Sequence, residues 1–296
     1  MDVGAYLERI RFVGSTAPSA ASLRALHRAH VLSVPFESLS IHCGEPITLD
    51  LEKIYRKLVK KRRGGFCYEN NGLFSWLLRQ LGFQVTLCSA RVLSPFTHRY
   101  GPLFDHLIIL VTLGERQLER FVVDVGFGNG MREPLEMESG RESEQESGTY
   151  RLRSDHPAGW WNLEEVSCRP QVDNQPSDME DHQGWRVLYK FEAKPREFLD
   201  FSDMCQYHQT SLCSVFVCKS LCALHTPQGW VTYMGRHLTS TTVTPAQDHR
   251  VRRKSKAVRE LSDEEIPIVL RDLFGVVLQN PLVPKGNKHK HLANTV

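Results

Sequence analysis

The hydrophobic period of the chain changes at Gly82. Before it, Leu73, Trp76, Leu77 and Leu81 recur at the three-and-four spacing of a helix face, and Gly82 stands where a helix-terminating glycine belongs. After it, FQVTLCSARVL, HLIILVTL and RFVVDVGF are rich in β-branched residues and bounded by glycine, proline or charged turns. GTYRLRS (148–154), WWNLEEVS (160–167) and GWRVLYKFEA (184–193) extend the strand character. Helices that come first, followed by a run of strands, predict an α+β fold rather than an alternating α/β one. The helical part predicts a helix from the Ser19 cap to about His30, with Leu23, Leu26 and His27 on one stripe, and a second over residues 51–59 behind Asp50. Between them VPFESLS (34–40) breaks the pattern with a proline. Two polar stretches, 136–147 and 169–183, read as surface insertions. A last unit opens near Pro195. It predicts a short helix over 197–207, strands at SVFVCKSLCAL (214–224), GWVTYMG (229–235) and HLTSTTV (237–243), and a helix in SDEEIPIVLRDLFG (262–275) capped by Ser262 with Glu265 in a capping box.

The balance of charge narrows the function. With 37 basic and 34 acidic residues in 296, the formal charge is +3, and no nucleic-acid partner is expected without basic residues gathered on one face. The dense basic stretches, at 56–57, 60–63, 250–256 and 285–290, read as solvated surface. No apolar run has the length of a membrane span, and the early Asp2 with no apolar stretch behind it argues against a signal peptide. The eight cysteines form no Cys-x-x-Cys pair and no histidine pair stands at zinc-finger spacing, so no metal is expected. Reduced thiols and a cytoplasmic location follow from the same pattern.

One segment asks for chemistry. RGGFCYENN (63–71) places Cys67 behind two glycines and at the start of a helix. A thiol there faces unpaired backbone N–H groups and the positive end of the helix dipole, which favours the thiolate. Gly64 and Gly65 permit a sharp turn or close approach to a substrate, Arg63 adds charge, and Glu37 is a candidate partner to brace it. An inert core cysteine is the competing reading of Cys67 alone. His106 in FDHLIIL and Asp124 in FVVDVGFG shift the balance. If the hairpin turns on residues 114–116 and pairs Leu113 with Gln117, His106 lies directly opposite Asp124 on one face. A nucleophile, a base and a carboxylate to orient the base would then share one site. The residues alone leave peptide hydrolysis, transglutamination and acyl transfer open, as well as a binding module with a vestigial triad.

Together RGGFCYENN, VPFESL, FDHLIILV and VVDVGFG resemble the arylamine N-acetyltransferase family. YHQTSLCSVF, LCALHTPQGW and QNPLVPKG resemble its vertebrate members, and the likeness runs from about Tyr6 to the C-terminus. The resemblance implies three parts: a helical domain (1–83) with the nucleophile, a β-barrel (84–194) with the histidine and aspartate, and an α/β lid with a C-terminal tail (195–296). The first two would have a papain-like arrangement. It also implies a Cys67–His106–Asp124 triad and a ping-pong reaction. Acetyl-CoA acylates the cysteine, and an arylamine or hydrazine then takes the acetyl group; O-acetylation of N-hydroxyarylamines is an extension of the same chemistry. A thiol hydrolase or transglutaminase-like enzyme on the same triad is the alternative. A monomer is expected.

By the same resemblance, coenzyme contacts fall on Pro102, Leu103, Gly126, Gly128, Tyr207, Cys213, Ser214 and Thr295. Pro102 and Leu103 depart from the small polar residue and glycine of the family pattern, and Cys213 replaces a Ser or Thr. The acceptor pocket is implied at Phe36, Leu93, Phe104, Asp105, His106 and Phe127. Asp105 stands where mammalian members carry an apolar residue, a change that would favour a hydrazine or partly cationic amine.

Overall fold

The computed structural model describes residues 1–95, 97–114, 118–155, 158–166, 184–245 and 252–286. The N-terminal part contains helices α1 (Val3–Arg9), α2 (Ala20–Ser33), α3 (Leu39–His42), α4 (Leu51–Tyr55) and α5 (Cys67–Gln80), with the two-residue strand β1 (Phe36–Glu37) between α2 and α3. Ser19 caps α2 as expected: its hydroxyl accepts from the Ser22 N–H at 3.1 Å and the Ser22 hydroxyl reaches back to the Ser19 N–H at 3.1 Å. Asp50 caps α4, which runs on as a π-helical turn over Arg56–Lys60. Helix α5 ends at Gly82, whose φ of 89° is the left-handed conformation that glycine adopts without a Cβ clash.

Eight strands follow: β2 (Gln84–Val92), β3 (His106–Leu113), β4 (Glu119–Val123), β5 (Leu135–Glu136), β6 (Glu142–Glu144), β7 (Thr149–Asp155), β8 (Trp160–Val166) and β9 (Trp185–Glu192). They form one antiparallel sheet in the order β5-β4-β3-β2-β9-β8-β7-β6. A bridge between Ser139 and Leu152 brings the far edge back toward the near one, so the barrel is nearly closed. Within HLIILVTL the run Leu107–Val111 is continuously apolar because β3 is buried there on both faces. Leu107, Ile109 and Val111 pack with Leu73, Phe74 and Leu77 of α5, while Ile108 and Leu110 face the barrel interior with Tyr150, Leu163 and Tyr189.

The final part begins with a 3₁₀ turn (Phe198–Phe201), α6 (Ser202–Thr210) and α7 (Val215–Cys218). A five-stranded sheet in the order β1-β10-β11-β12-β13 follows, from β10 (Leu221–Thr226), β11 (Gly229–Met234), β12 (His237–Pro245) and β13 (Arg252–Glu260), covered by α8 (Glu265–Phe274). Strand β1 pairs Phe36 with Ala223 and Glu37 with Cys222, so the helical part lends a strand to the last sheet.

Several expectations change. The first half of SVFVCKSLCAL is the helix α7, because the Ser214 hydroxyl accepts from the Phe216 N–H at 3.2 Å and starts a turn. The polar stretch 136–147 is no mere insertion. Gln145 and Ser147 are buried, and Glu146 pairs with Arg28 and with Arg132, a fully buried arginine that also donates to the Thr226 and Gly229 carbonyls at 2.6 Å each. Of the basic stretches, Arg63 is buried, Lys57 pairs with buried Glu69 at 2.8 Å, and the segment at 252–260 is an edge strand whose Lys254 pairs with Glu165 at 2.9 Å. Helix α8 starts at Glu265, although the reciprocal bonds between Ser262 and Glu265 form as the capping box requires. The insertion at 169–183 lies outside the described residues.

Candidate active site

Gly64 and Gly65 are there for room. A Cβ on Gly64 would stand 2.0 Å from the Pro35 carbonyl oxygen, and one on Gly65 would stand 2.5 Å from the Glu69 Cβ. The close approach expected of these glycines is therefore to their own protein. The loop packs beside β1, with the Glu37 N–H donating to the Gly65 carbonyl at 2.9 Å. Arg63 braces it as a fork on Glu37, with Nε to Oε1 at 2.8 Å and Nη2 to Oε2 at 3.0 Å, both side chains buried. Burial alone would push the Glu37 pKa up; the adjacent guanidinium outweighs it and holds the carboxylate below its ordinary value. Glu69 reaches back to the Phe66 N–H at 3.2 Å, which fixes the first turn of α5. Phe66, at the cap position, offers no side-chain acceptor, so Cys67 begins the helix with no capping hydrogen bond over its first-turn N–H groups.

His106 begins β3 and Asp124 follows the last residue of β4. Their Nε2 and Oδ2 atoms are 2.8 Å apart. The register differs from the expected one. Leu113 pairs with Glu119 rather than Gln117, so Asp124 is diagonal to His106, not opposite. Because the shift is two residues, both side chains remain on one face. Residues 115–117 of the turn lie outside the described residues. Asn71 supplies a partner that sequence reasoning missed, although it stands one helical turn after Cys67 on the same face. Its Nδ2 donates to Asp124 Oδ1 at 2.9 Å and to the Leu107 carbonyl at 2.7 Å, and its Oδ1 accepts from the Val125 N–H at 2.8 Å. The Gly126 N–H donates to the same Oδ1 at 2.9 Å.

Burial would push the His106 pKa down. The Asp124 charge and hydrogen bond, joined by a hydrogen bond from the Cys67 side, reverse this and raise it to about 10. Burial would likewise raise Asp124, but His106, Asn71 and the Gly126 N–H hold it below its ordinary value. With Nε2 on Asp124, Nδ1 is the nitrogen left for the thiol.

A cavity of about 210 Å³ opens beside these groups, lined by Cys67, His106, Phe36, Phe127, Asp105 and Gly126, with Val92, His208, Val215 and Phe216 completing its walls. Phe127 meets the His106 ring edge-on at 5.5 Å. Two expected lining residues are elsewhere. Val92 takes the place of Leu93, whose N–H is tied to the Leu188 carbonyl. Phe104, at φ 63°, turns toward Phe201, with ring centroids 5.3 Å apart. Of the residues implied for the coenzyme, Pro102, Leu103 and Cys213 are exposed and Tyr207 is 37% exposed. Ser214 is buried with its hydroxyl on the His208 carbonyl. Gly126 packs on the nucleophile helix, where a Cβ would stand 2.8 Å from the Cys67 Cα, and Gly128 takes a φ of 77° beside the Phe36 ring. Thr295 lies outside the described residues.

A sequence-family profile for N-acetyltransferases matches residues 19–283. The chain belongs to the arylamine N-acetyltransferase family. It is 36% identical to arylamine N-acetyltransferase 2 of Mus musculus over 291 residues, 96% of this chain and 97% of that protein. It is 35% identical to arylamine N-acetyltransferase 1 of Homo sapiens over the same shares. The solved arylamine N-acetyltransferase of Mycobacterium marinum superposes with a TM-score of 0.77 at 28% identity, covering 93% of each chain, and its complex with CoA gives a TM-score of 0.76. As an arylamine N-acetyltransferase, the protein has the helical, barrel and lid architecture of those structures.

Proposed function

We propose that this arylamine N-acetyltransferase carries an acetyl group from acetyl-CoA to an aromatic amine or hydrazine through Cys67, with His106 as base and Asp124 as its orienting partner. The observation that carries the reading is the 2.8 Å bond that holds His106 to a buried Asp124 in the same cavity as the Cys67 thiol. Cys67, deprotonated by His106, attacks the thioester carbonyl. Its new bond to carbon replaces the bond to the coenzyme sulfur, which leaves with the proton held on His106. The uncapped first-turn N–H groups of α5 stand ready for the oxyanion. Acetylation removes the sulfur's charge beside His106, one of the influences that raise its pKa, and so lets the imidazole serve as base. His106 then takes a proton from the attacking amine, the acetyl–sulfur bond breaks, and the Cys67 thiolate is restored. N-hydroxyarylamines would be acetylated at oxygen by the same route.

Acetyl-CoA brings a thioester and a long, mixed-polarity arm. The half-exposed Val215 at the cavity wall and Tyr207, whose ring meets the wall residue His208 at 5.5 Å, offer apolar surface to that arm. Pro102, Leu103, Gly126, Gly128, Cys213, Ser214 and Thr295 are assigned to the coenzyme by the family likeness. The division of labour assigns the nucleophile to residues 1–83, the base and its partner to 84–194, and the covering lid to 195–296. We place the enzyme in the cytoplasm as a monomer. The seven described cysteines are free thiols, which suits a reducing compartment, and no helix among the described residues is long and apolar enough to cross a membrane.

Intact-protein mass spectrometry after mixing with acetyl-CoA tests the reading. One acetyl adduct is expected, absent in Cys67→Ser because a serine hydroxyl is not ionised by the same surroundings. Double-reciprocal plots against acetyl-CoA at fixed amine concentrations should be parallel. Intersecting lines with no isolable acetyl-protein would overturn the covalent relay and leave direct transfer or hydrolysis.

A further inference from the structure

The cavity beside Cys67 holds a second histidine–aspartate pair, and this one is incomplete. His208 Nε2 stands 3.4 Å from Asp105 Oδ1, with the two side chains 7% and 14% exposed. Even so, Nε2 is a buried nitrogen with no hydrogen-bond partner. The other ring nitrogen, Nδ1, is 3.1 Å from the Ser214 hydroxyl. That hydroxyl has one proton. It donates to the His208 carbonyl at 3.1 Å, a carbonyl near the end of α6, and it accepts from the Phe216 N–H as the cap of α7. Nδ1 is thus tied to a hydroxyl that is already engaged with two backbone groups. Nε2 stands beside Asp105 Oδ1 without completing a hydrogen bond to it. Both groups keep hydrogen-bonding capacity that the protein itself does not use, which an N–H brought into the cavity would meet.

Asp105 is held in place for this. Its Oδ2 accepts from the Val92 N–H at 3.2 Å, and it packs so closely on Gly101 that a Cβ there would stand 2.1 Å from Oδ2. Among the described residues no lysine or arginine is paired with it. The walls around the two groups are Phe36, Phe127 and Phe216, which suit an aromatic ring, with Cys67 and His106 alongside. A ligand that places a ring among these aromatics and an N–H between Asp105 and His208 satisfies the whole cavity. A carboxylate in the same position would meet Asp105 as a like charge.

We propose that Asp105 and His208 form an N–H-accepting subsite that makes this enzyme select aromatic amines carrying a second donor group, an amidinium or carboxamide, over those carrying a carboxylate. The selectivity for turnover rests on the transferase reading; the subsite itself can be tested without turnover. Calorimetric binding of benzamidine, benzamide and benzoate to the full, unacylated chain should rank benzamidine about tenfold or more tighter than benzoate, with benzamide between. The ratio of kcat/KM for aminobenzamidine over aminobenzoate should lean the same way. Asp105→Val and, as a second variant, His208→Leu should each collapse both ratios. A packing role alone would scale every substrate alike and leave the ratios standing. Equal binding of benzamidine and benzoate by the unaltered chain, as an imidazolium already paired with Asp105 would give, overturns the proposal. So does a ratio that survives either substitution in a folded variant. If the binding preference holds but acetyl-CoA never acylates Cys67, the subsite stands and the transferase reading falls.

Discussion

The two histidine–aspartate pairs lie against one cavity and differ in how completely their hydrogen bonds are met. Asp124 receives three donors, from His106 at 2.8 Å, Asn71 at 2.9 Å and the Gly126 N–H at 2.9 Å. Asp105 receives the Val92 N–H and faces an unpartnered His208 Nε2 across 3.4 Å. Buried polar groups are nearly always satisfied, and a network that is fully satisfied is rigid. The first pair thus suits a group that must hold one orientation through a reaction. The second has capacity left over, which suits a group that waits for a ligand.

Breaking the complete pair should have the largest effect. Asp124→Asn keeps the volume and removes the charge that raises His106, so transfer should fall by roughly two to four orders of magnitude, by the behaviour of orienting carboxylates in triad enzymes. Stopped-flow measurement of Cys67 acetylation checks this; a rate near that of the unaltered enzyme would show that the carboxylate is only structural. Loosening the same pair should do less. Asn71→Ala leaves Asp124 with two donors and strips the Val125 N–H of its partner. Acetylation should slow by about tenfold, and unfolding should be easier by about 1–3 kcal/mol, the cost of unmet buried groups. Urea denaturation beside the kinetics separates the two effects, and an unchanged rate in a destabilised variant would confine Asn71 to the scaffold.

The smallest effect lies in the pH dependence of stability. His106 is raised on folding to about 10, so its contribution is complete below its unfolded value, about 6.5, and is lost as pH rises from there through about 10. Asp124 is lowered on folding, so its contribution is present above its unfolded value, about 3.9, and is lost as pH falls through the folded one. The stability advantage of the unaltered protein over Asp124→Asn should therefore be level from about pH 4.5 to 6.5 and shrink toward pH 10. Urea midpoints of both proteins across that range test the sign. An advantage that grew with pH would mean that His106 is neutral in the folded protein.

The expected hairpin fails by two residues in register because it assumes the tightest loop, yet the site survives. A strand's side chains alternate with a period of two, so an even shift moves His106 along Asp124 without turning either away. Val92 in place of Leu93 shows the opposite case. A choice that is wrong by one residue selects the other face. Phe104 is lost to the cavity by its own backbone, since a positive φ outside glycine is set by surroundings and leaves no mark in the pattern. Of the basic residues of 56–63, Arg56, Lys60, Lys61 and Arg62 are exposed as expected, whereas Lys57 and Arg63 pair with acids from outside the stretch, Glu69 and Glu37. The fork between Arg63 and Glu37 could be anticipated, but the pairing of Lys57 with the buried Glu69 could not.

What the sequence determined is what short-range physics determines. The change of period at Gly82, the caps at Ser19 and Asp50, and the placement of Cys67 at a helix start all depend on neighbours within a few residues. The order of Cys67, His106 and Asp124 is legible beside them. The tertiary structure alone decided which distant groups meet. It joined β1 to β10, set Asn71 against Asp124, and brought His208 to Asp105 from 103 residues away in the chain. Local preferences fix elements, but the partners of a buried charge are fixed by which elements pack together, and that is settled only when the whole core forms.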